Sequence, residues 1–388
     1  MKRTYLDNSA TTRVDNKVVE IMVKYMMEEY GNPSSQHNYG QQAKFILDES
    51  REKVASVINA NINEIFFTSG GTESDNWAIR GVVGYALRNK KKVHIVSSSY
   101  EHSAIDKTIK NLNIIFPNNE ISYTLVKPSK IGYITKEDIE KAVTENTILV
   151  SVMHMNSEVG TINDIGKIGK FCRDKKILFH TDAVQSFAKI DIDVRAMNID
   201  LLSVSAHKIH GPKGVGALFI RKNVQIDPLL YGGSQENKMR MGTENLPGIA
   251  GFGLACERFI VNYNKCKSKI IDFKKYLIKA LNENLDNFTI NGDIENGYPG
   301  ITNITFHDLE GEAIALNMDM DNFAVSTGSA CSSGSVEPSR MLLNLGLSEK
   351  DAQSSIRISI GIENTMEDIE LACKALINTV KRLKSLAG

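Results

Sequence analysis

Apolar and polar residues alternate along the chain with two different periods, which predict strands and helices in turn. Apolar positions recur at helical spacing over about 14–29 and 38–58. Short apolar runs then follow at 65–68, 93–97, 148–153, 177–181, 201–205 and 215–220. Between these runs, helical periodicity lies near 72–87, 103–112, 136–144 and 164–174. Such alternation predicts an α/β fold with a mainly parallel central sheet and helices on both of its faces.

The pattern changes near residue 246, and this change suggests a second domain. A long helical region runs to about 286, and strand patterns follow near 288–290, 301–306 and 356–360, with a helix near 311–320. A last helix begins at Thr365, whose spacing to Asp368 is typical of a capped N-terminus. We therefore expect a large domain over 15–258 and a smaller α+β domain that consists of 259–388 together with residues 1–14.

Composition and charge exclude several classes of protein. The 388 residues are 42% hydrophobic and 24% charged, as in an average soluble protein, and they fit two domains. The 46 basic residues balance 46 acidic ones, so we expect no nucleic-acid or membrane partner. No apolar run reaches the roughly 18 residues of a spanning helix, and from residues 1–7 we expect no secretory signal. Five scattered cysteines without a CxxC pair predict a cytoplasmic location and no structural metal site.

Polar residues at the ends of two successive strand patterns suggest a cofactor. Asp182 ends one strand, and Lys208 follows the next, where the chain turns into a Gly- and Pro-containing segment. Ligands of parallel α/β sheets bind at the carboxyl ends of the strands. Pyridoxal 5′-phosphate (PLP) enzymes need a lysine that forms an imine and an acidic partner for the pyridinium nitrogen. A lysine in a crevice is more often structural, so the inference depends on the pair.

A glycine-rich turn supplies a candidate phosphate site. Gly70, Gly71 and Thr72 come directly after a strand pattern and open a helix. Backbone N–H groups and the helix dipole favour an anion at such a position. The spacing does not match a P-loop, and the separate segment Gly251-Phe252-Gly253 does not complete a GxGxxG fingerprint, so nucleotide binding is not supported. Taken alone, the turn is also compatible with a purely structural role.

Longer motifs are spread over nearly the whole chain, from Tyr5 to Ser359. They are Tyr5-Leu6-Asp7-Asn8, Gly31-Asn32-Pro33-Ser34-Ser35, Gly71-Thr72-Glu73-Ser74, Glu101-His102, His180-Thr181-Asp182, Ser205-Ala206-His207-Lys208, Gly211-Pro212-Lys213-Gly214, the segment 240–245 and Ser326-Thr327-Gly328-Ser329-Ala330-Cys331. Together they resemble the cysteine desulfurases of the NifS and IscS kind, within the class-V aminotransferases of PLP fold type I. One departure is Ser157, where the family often has a second Asn. The longer C-terminal tail of the housekeeping members is not expected here.

The resemblance implies how the large domain binds PLP. Lys208 forms the covalent link, and Asp182 pairs with the pyridinium nitrogen. Gln185 and Asn156 approach the ring hydroxyl, while His102 stacks on the ring and moves a proton. The phosphate is held by Gly71, Thr72, Ser205, His207 and, from a partner subunit, Thr243. Thr243 is assigned to the partner because the segment 240–245 is expected to lie apart from the other phosphate-binding residues.

The resemblance also implies the substrate and the reaction. Arg357, Asn156 and Asn8 bind L-cysteine, and Arg357 makes a bidentate contact with the carboxylate. Cys331 attacks the substrate sulfur, which leaves alanine and a persulfide on Cys331. No resident metal is expected, although Cys331 could transiently contact a nascent iron–sulfur cluster. Without the resemblance, Asn156, Gln185 and the histidines equally fit structural roles, and Arg357 could face solvent.

The expected partners are a second copy of the chain, in a homodimer, and a sulfur acceptor such as an iron–sulfur scaffold protein. Three alternatives stay open at this point. The chain could be a selenocysteine lyase or a class-V aminotransferase of the same fold, or a non-catalytic protein that relays sulfur to partners. The identity of the acceptor is not encoded in any motif of the sequence.

Overall fold

A computed structural model of the chain describes residues 3–90, 92–327 and 338–387. Its strands are β1 (Thr4–Tyr5), β2 (Ile65–Thr68), β3 (Lys92–Ser98), β4 (Glu120–Val126), β5 (Thr147–Ser151), β6 (Leu178–Asp182), β7 (Leu201–Ser205), β8 (Gly216–Ile220), β9 (Phe288–Asn291), β10 (Ile301–Phe306), β11 (Phe323–Ala324), β12 (Ser326–Thr327) and β13 (Ser355–Ser359). Its helices are α1 (Asn16–Met27), α2 (Asn38–Ser56), α3 (Gly71–Leu87), α4 (Ser103–Lys110), α5 (Leu112–Ile115), α6 (Lys136–Ala142), α7 (Ile165–Lys175), α8 (Gln235–Lys238), α9 (Leu246–Asn284), α10 (Gly311–Met320), α11 (Arg340–Asn344), α12 (Glu349–Gln353) and α13 (Met366–Ala387).

Among the described strands, seven form a central sheet in the order β2-β8-β7-β6-β5-β3-β4. The strands from β4 to β7 in that order are parallel, and β8 runs antiparallel to both of its neighbours. Every residue of β5 and β7 is buried. Successive residues point to opposite faces, so that Leu201 packs in one hydrophobic cluster and Leu202 in another. The predicted α/β fold with a mainly parallel sheet is confirmed.

A smaller antiparallel sheet, β12-β13-β10-β9, lies beside α10 and α13. Its apolar residues form a hydrophobic cluster separate from those of the central sheet. Helix α9 belongs to both parts: Ile270 packs in the cluster of the large sheet, whereas Phe273 packs in that of the small one. Arg258 lies inside this helix, and the division at 258 stays a prediction. None of the described helices is long and apolar enough to cross a membrane.

Some elements were not predicted from the sequence. Strand β4 at the edge of the large sheet has a mixed burial pattern, because one of its faces is partly exposed, and its polar residues hide the strand period. Helices α11 and α12 have five residues each, which is too short for a 3.6-residue period to be recognised. The strand expected at 356–360 begins one residue earlier, at Ser355.

Candidate active site

The carboxyl ends of β6 and β7 bring Asp182 and Lys208 to the same edge of the central sheet. Asp182 is the last residue of β6, and Lys208 closes a short 3-10 turn that follows β7 directly. The Lys208 ammonium donates to the backbone oxygens of Ser9 and Ala10. Gln185 Nε2 donates to the same Ser9 oxygen at 2.8 Å. The N-terminal segment therefore passes over this edge and orients both side chains.

Asp182 is a buried carboxylate in a group of charged residues. Its Oδ1 accepts from the backbone N–H of Val184 at 2.8 Å. Burial raises the pKa of Asp182, whereas His102, that backbone contact and Lys208 lower it. The fully buried Asp75 has a pKa held well above its usual range, first by burial and then by the charge of Asp182. A nearby cation, such as a protonated ring nitrogen, would stabilise the ionised form of Asp182.

His102 caps the start of α4, close to the end of β3. Its Nδ1 accepts from the backbone N–H of Ala104 at 3.1 Å, so the proton of the neutral ring is on Nε2. Burial lowers the pKa of His102, with the cations Lys208 and Arg340 adding to this effect and Asp182 opposing it. We expect a neutral imidazole whose Nε2–H can donate.

The start of α3 forms an open cradle of backbone N–H groups. No side chain caps the helix at Gly70, whose φ of 149° is accessible to glycine without strain. A Cβ on Gly71 would come within 2.6 Å of a Val184 methyl group, so only glycine fits there without a shift. Ser205 Oγ lies next to Gly70, 3.8 Å from where its Cβ would be. Thr72 is exposed at the mouth of the cradle. These residues present the donors that a phosphate requires.

His207 and Thr243 occupy different positions around this cradle. His207 contacts the Thr11 hydroxyl through Nδ1 at 3.1 Å, and burial is the main cause that lowers its pKa to about 4. Thr243 is exposed. Its segment does not lie apart from the cradle as expected, because Arg240 pairs with Glu73, the neighbour of Thr72 in the same chain, at 2.8 Å. That premise of the sequence-based assignment is wrong, while the role of Thr243 stays a prediction.

Arg357 lies in β13 and is buried, only 6% exposed, so the alternative in which it faces solvent is excluded. Its Nη2 donates to Asp7 Oδ1 at 2.7 Å and its Nη1 to the backbone oxygen of Ser157 at 3.0 Å. Its Nε is buried without a hydrogen-bond partner among the described residues. Asp7 therefore holds the guanidinium in place, and two of its five N–H groups make these hydrogen bonds, so that others, the Nε–H among them, are left for an anion.

The two asparagines expected near the substrate make local contacts. Asn156 is fully buried; its Oδ1 accepts from two backbone N–H groups, of Glu158 and Val159. Its Nδ2 lies 2.7 Å from the Met341 sulfur. Asn8 Nδ2 donates to the backbone oxygen of Ser359 at 2.9 Å. Asn156 precedes Ser157, whose backbone oxygen accepts from Arg357, and Asn8 contacts Ser359 in the same strand as Arg357. The contacts of both asparagines with cofactor or substrate stay predictions.

Two polar residues near His102, Glu101 and Arg340, were not predicted from the sequence as parts of the site. Glu101 is buried, accepts from the backbone N–H of Met153 at 3.0 Å and from the Ser98 hydroxyl, and has its pKa raised to about 8 by burial. Arg340, the first residue of α11, donates to the backbone oxygen of Glu101 and pairs with Asp106. Glu101 stood in a recognised motif, but no pattern in the sequence connects Arg340 with His102.

Cys331 lies outside the described residues. Thr327, four residues before it, ends β12, in which Ser326 is paired with Arg357 of β13. Burial raises the pKa of Cys172 and of Cys373 to about 12, and it also raises the pKa of Cys256. Those three thiols are poor nucleophiles near neutral pH.

The described residues fit a bound PLP. Gln185 Oε1 is buried without a hydrogen-bond partner in the described part of the chain, at the edge where Lys208 and Asp182 meet. The open start of α3 suits a phosphate, and the Asp182 carboxylate suits a pyridinium nitrogen. Over the ranges that the structure covers, no group of three or more His, Cys, Asp or Glu side chains is arranged to hold a metal ion.

Comparison with known proteins agrees with this geometry. The model of the aminotransferase class-V family matches residues 4–371. A cysteine desulfurase IscS of Clostridium botulinum is 43% identical over 389 residues, covering 100% of this chain and 96% of the relative. A solved NifS-like protein superposes with a TM-score of 0.90 at 35% identity, covering 98% of this chain and all of the other. The structure described as SspA in complex with cysteine gives a TM-score of 0.80 at 36% identity, covering 92% and 98%. This chain belongs to the class-V aminotransferase family.

Proposed function

We propose that the protein is a PLP-dependent cysteine desulfurase, which converts L-cysteine to L-alanine and transfers the sulfur to a persulfide on Cys331. The observation that carries the proposal is the meeting of Lys208 and Asp182 at one edge of the sheet, beside the open start of α3. The similarity to proteins named cysteine desulfurases over the whole chain supports the choice of reaction within the family.

Each step requires specific groups of this chain. Lys208 would hold PLP covalently, Asp182 would pair with its ring nitrogen, and the α3 cradle with Ser205 and His207 would bind its phosphate. When bound, PLP supplies an electron sink that stabilises negative charge at the substrate Cα. Lys208 would then accept the proton from the substrate Cα, and His102 Nε2–H would donate a proton to the substrate.

Sulfur transfer then needs a thiolate that attacks the sulfur of the substrate bound at the carboxyl edge of the sheet. The Cys331 sulfur attacks the substrate sulfur and forms an S–S bond, while the substrate C–S bond breaks and its electron pair stays on the substrate carbon skeleton. That carbon is later protonated, and alanine leaves. The buried Cys172, Cys256 and Cys373 are unsuited to this role because their raised pKa values keep them protonated.

The proposal is tested by incubating the purified protein and PLP with L-cysteine. We expect alanine and a protein persulfide in equal amounts in a single turnover, with sulfide released when a reductant is added. Selenocysteine in place of cysteine tests the lyase alternative: a strong preference for it would replace the proposed substrate. Formation of 3-mercaptopyruvate with transfer of the amino group would instead indicate an aminotransferase, and no reaction with either substrate would favour a non-catalytic sulfur relay.

We expect Arg357→Ala to weaken cysteine binding by about tenfold or more. A charge-assisted two-pronged contact contributes on the order of 1.5–3 kcal/mol, and about 1.4 kcal/mol corresponds to a factor of ten. The apparent affinity is measured from the change in the visible spectrum on adding cysteine. Arg357→Lys keeps the charge but loses the fork, so its affinity should lie between those of the two proteins. An unchanged affinity in Arg357→Ala would show that the carboxylate binds elsewhere.

A homodimer is the proposed assembly, and an exposed apolar stripe on α1 supports it. Val19, Val23, Met26 and Met27 recur at helical spacing on the exposed side of α1 and are 45–73% exposed. Tyr30, just beyond the helix, is 68% exposed. Contiguous apolar surface of this kind is typical of subunit interfaces. We propose that the second subunit covers this stripe and brings its Thr243 to the phosphate site.

Complementation tests the shared site. Thr243→Asp places a carboxylate beside the phosphate and should weaken PLP binding strongly, whereas Lys208→Ala removes the reacting amine. After subunit exchange of equal amounts, half of the dimers are hybrids with one intact site each. Activity at limiting PLP should then reach about a quarter of the wild-type value. If exchange is complete and activity stays absent, Thr243 acts within its own chain, next to the Arg240–Glu73 pair.

We also propose that the persulfide passes to an iron–sulfur scaffold protein, with Cys331 contacting the nascent cluster only in transit. The cytoplasm is the proposed location, since the free thiols Cys172, Cys256, Cys266 and Cys373 fit a reducing compartment. Transfer of labelled sulfur from the persulfide to a purified scaffold, followed by mass spectrometry of both proteins, tests the acceptor. Label that remains on this chain would exclude that scaffold.

A further inference from the structure

Helix α11 contacts two turns at the carboxyl edge of the central sheet. Its N-cap residue, Ser339, donates through Oγ to Oε2 of Glu158, which is buried in the segment between β5 and α7. The next residue, Arg340, contacts the turn between β3 and α4, where His102 lies. Strands β3 and β5 are parallel neighbours, so both turns lie at the same edge of the sheet. This short helix therefore joins the segment after β5 to the turn that carries His102.

The Arg340 guanidinium holds that turn on both sides of His102. Its Nη2 donates to the backbone oxygen of Glu101, which belongs to the peptide bond between Glu101 and His102. Its Nη1 forms an ion pair with Oδ1 of Asp106 at 2.5 Å, and the Asp106 side chain is only 8% exposed. The backbone N–H of Asp106 in turn donates to the His102 carbonyl oxygen at 3.1 Å. Arg340 therefore fixes the residue before His102 and the first turn of α4 after it.

Both ends of α11 are held independently of the Arg340 guanidinium. Asn344, the last residue of the helix, accepts through Oδ1 from the Ser99 hydroxyl. Its Nδ2 donates to the backbone oxygen of Arg340 at 2.8 Å. Ser339 holds the first turn through Glu158. We therefore expect α11 to stay in place when the Arg340 side chain is replaced.

The charge of Arg340 also favours the neutral form of the imidazole. The charged or titratable side chains around His102 are those of Glu101, Asp106 with its partner Lys110, Asp182, Lys208 and Arg340. Burial is the main cause that lowers the pKa of His102; Asp182 opposes this effect, and Lys208 and Arg340 add to it. Glu101 adds no charge at neutral pH, because burial raises its pKa to about 8. Arginine is not deprotonated in proteins, and the Arg340 side chain is 38% exposed, so its charge persists.

We propose that Arg340 is a positioning residue for the desulfurase reaction, which holds His102 in place through the Glu101–His102 peptide bond and through Asp106. The inference rests on the proposed function, in which His102 donates a proton to the substrate. Such a transfer requires the donor to lie within hydrogen-bond reach, about 2.6–3.2 Å, of the atom that receives the proton. Small displacements of the turn between β3 and α4 therefore slow the reaction, although Arg340 itself acts only through His102.

A double-mutant cycle tests whether Arg340 acts through His102. Arg340→Met removes both contacts at similar length, and we expect kcat for alanine formation to fall about tenfold with KM for cysteine unchanged. In a His102→Gln background the same replacement should change kcat by less than about twofold, because the residue through which Arg340 acts is already absent. Arg340→Lys keeps a cation for Asp106 and should recover part of the loss. Equal losses in the two backgrounds would show a general structural effect and overturn the proposal.

Lys110→Met is the matched control. Lys110 is the other cation paired with Asp106, at 2.9 Å, and it lies one turn further along α4. Its replacement leaves the contact between Arg340 and the Glu101 backbone intact, so kcat should change by less than about twofold. A loss as large as that of Arg340→Met would mean that a counterion for Asp106 is what matters, and the proposed hold on the His102 peptide bond would fail.

A second measurement does not depend on the cofactor. Exchange of the His102 ring C2 hydrogen for deuterium in the protein without PLP, followed across pH by mass spectrometry, reports the protonation of the imidazole. Its midpoint should rise by about half a pH unit in Arg340→Met, because a nearby positive charge is lost, and far less in Lys110→Met. An unchanged midpoint in Arg340→Met would overturn the coupling, whatever the activity of the variant. A wild-type protein that forms no alanine from cysteine would instead overturn the proposed function, and the exchange would still decide whether Arg340 acts on His102.

Discussion

Lys208→Ala is expected to lose desulfurase activity by at least about 10⁴-fold, because one side chain supplies both the covalent link and the proton acceptor. We expect the loss to be chemical rather than structural, since Ser9 and Ala10 accept from the Lys208 amine through backbone oxygens at the sheet edge. Borohydride treatment of the wild type should bleach the visible band and fix PLP on the peptide that contains Lys208. The variant should show neither effect.

Lys213→Ala is the matched control for this experiment. Lys213 is exposed in the segment directly after Lys208, so its loss should leave the band, the labelled peptide and the activity unchanged. Covalent PLP on any other lysine of the wild type, Lys189 included, would contradict the assignment of Lys208.

Cys331→Ser is expected to lose persulfide formation by at least about 10²-fold, while it still binds cysteine and keeps the cofactor spectrum. The role of Cys331 begins only after the substrate is bound, so this variant should keep substrate binding and lose sulfur transfer. The spectral change on adding cysteine measures binding, and mass spectrometry of the protein measures the persulfide.

Cys266→Ser provides the comparison, because Cys266 is the partly exposed cysteine among those in the described ranges. That variant should form the persulfide at the wild-type rate. If Cys331→Ser still releases sulfide at the wild-type rate, another nucleophile carries the sulfur, and Cys266 becomes the first candidate since the remaining described thiols are buried.

The sheet and the edge that binds the cofactor were predictable from local patterns. Strands such as β5 and β7 are buried on both faces, so their apolar runs are continuous and easily recognised. Residues that directly follow parallel strands must lie at one edge, which places Asp182 near Lys208 before any coordinates are known. The glycines that open α3 are likewise fixed by local backbone geometry.

The surroundings of those residues depend on contacts between distant parts of the chain. Arg357 meets Asp7 across 350 positions, and Arg340 meets the backbone of Glu101 across 239. The sequence by itself determined the sheet, its carboxyl edge and the residue types there, because these follow from short-range periodicity. Only the tertiary structure decided which charges are paired and which are buried, because packing between distant segments sets those distances.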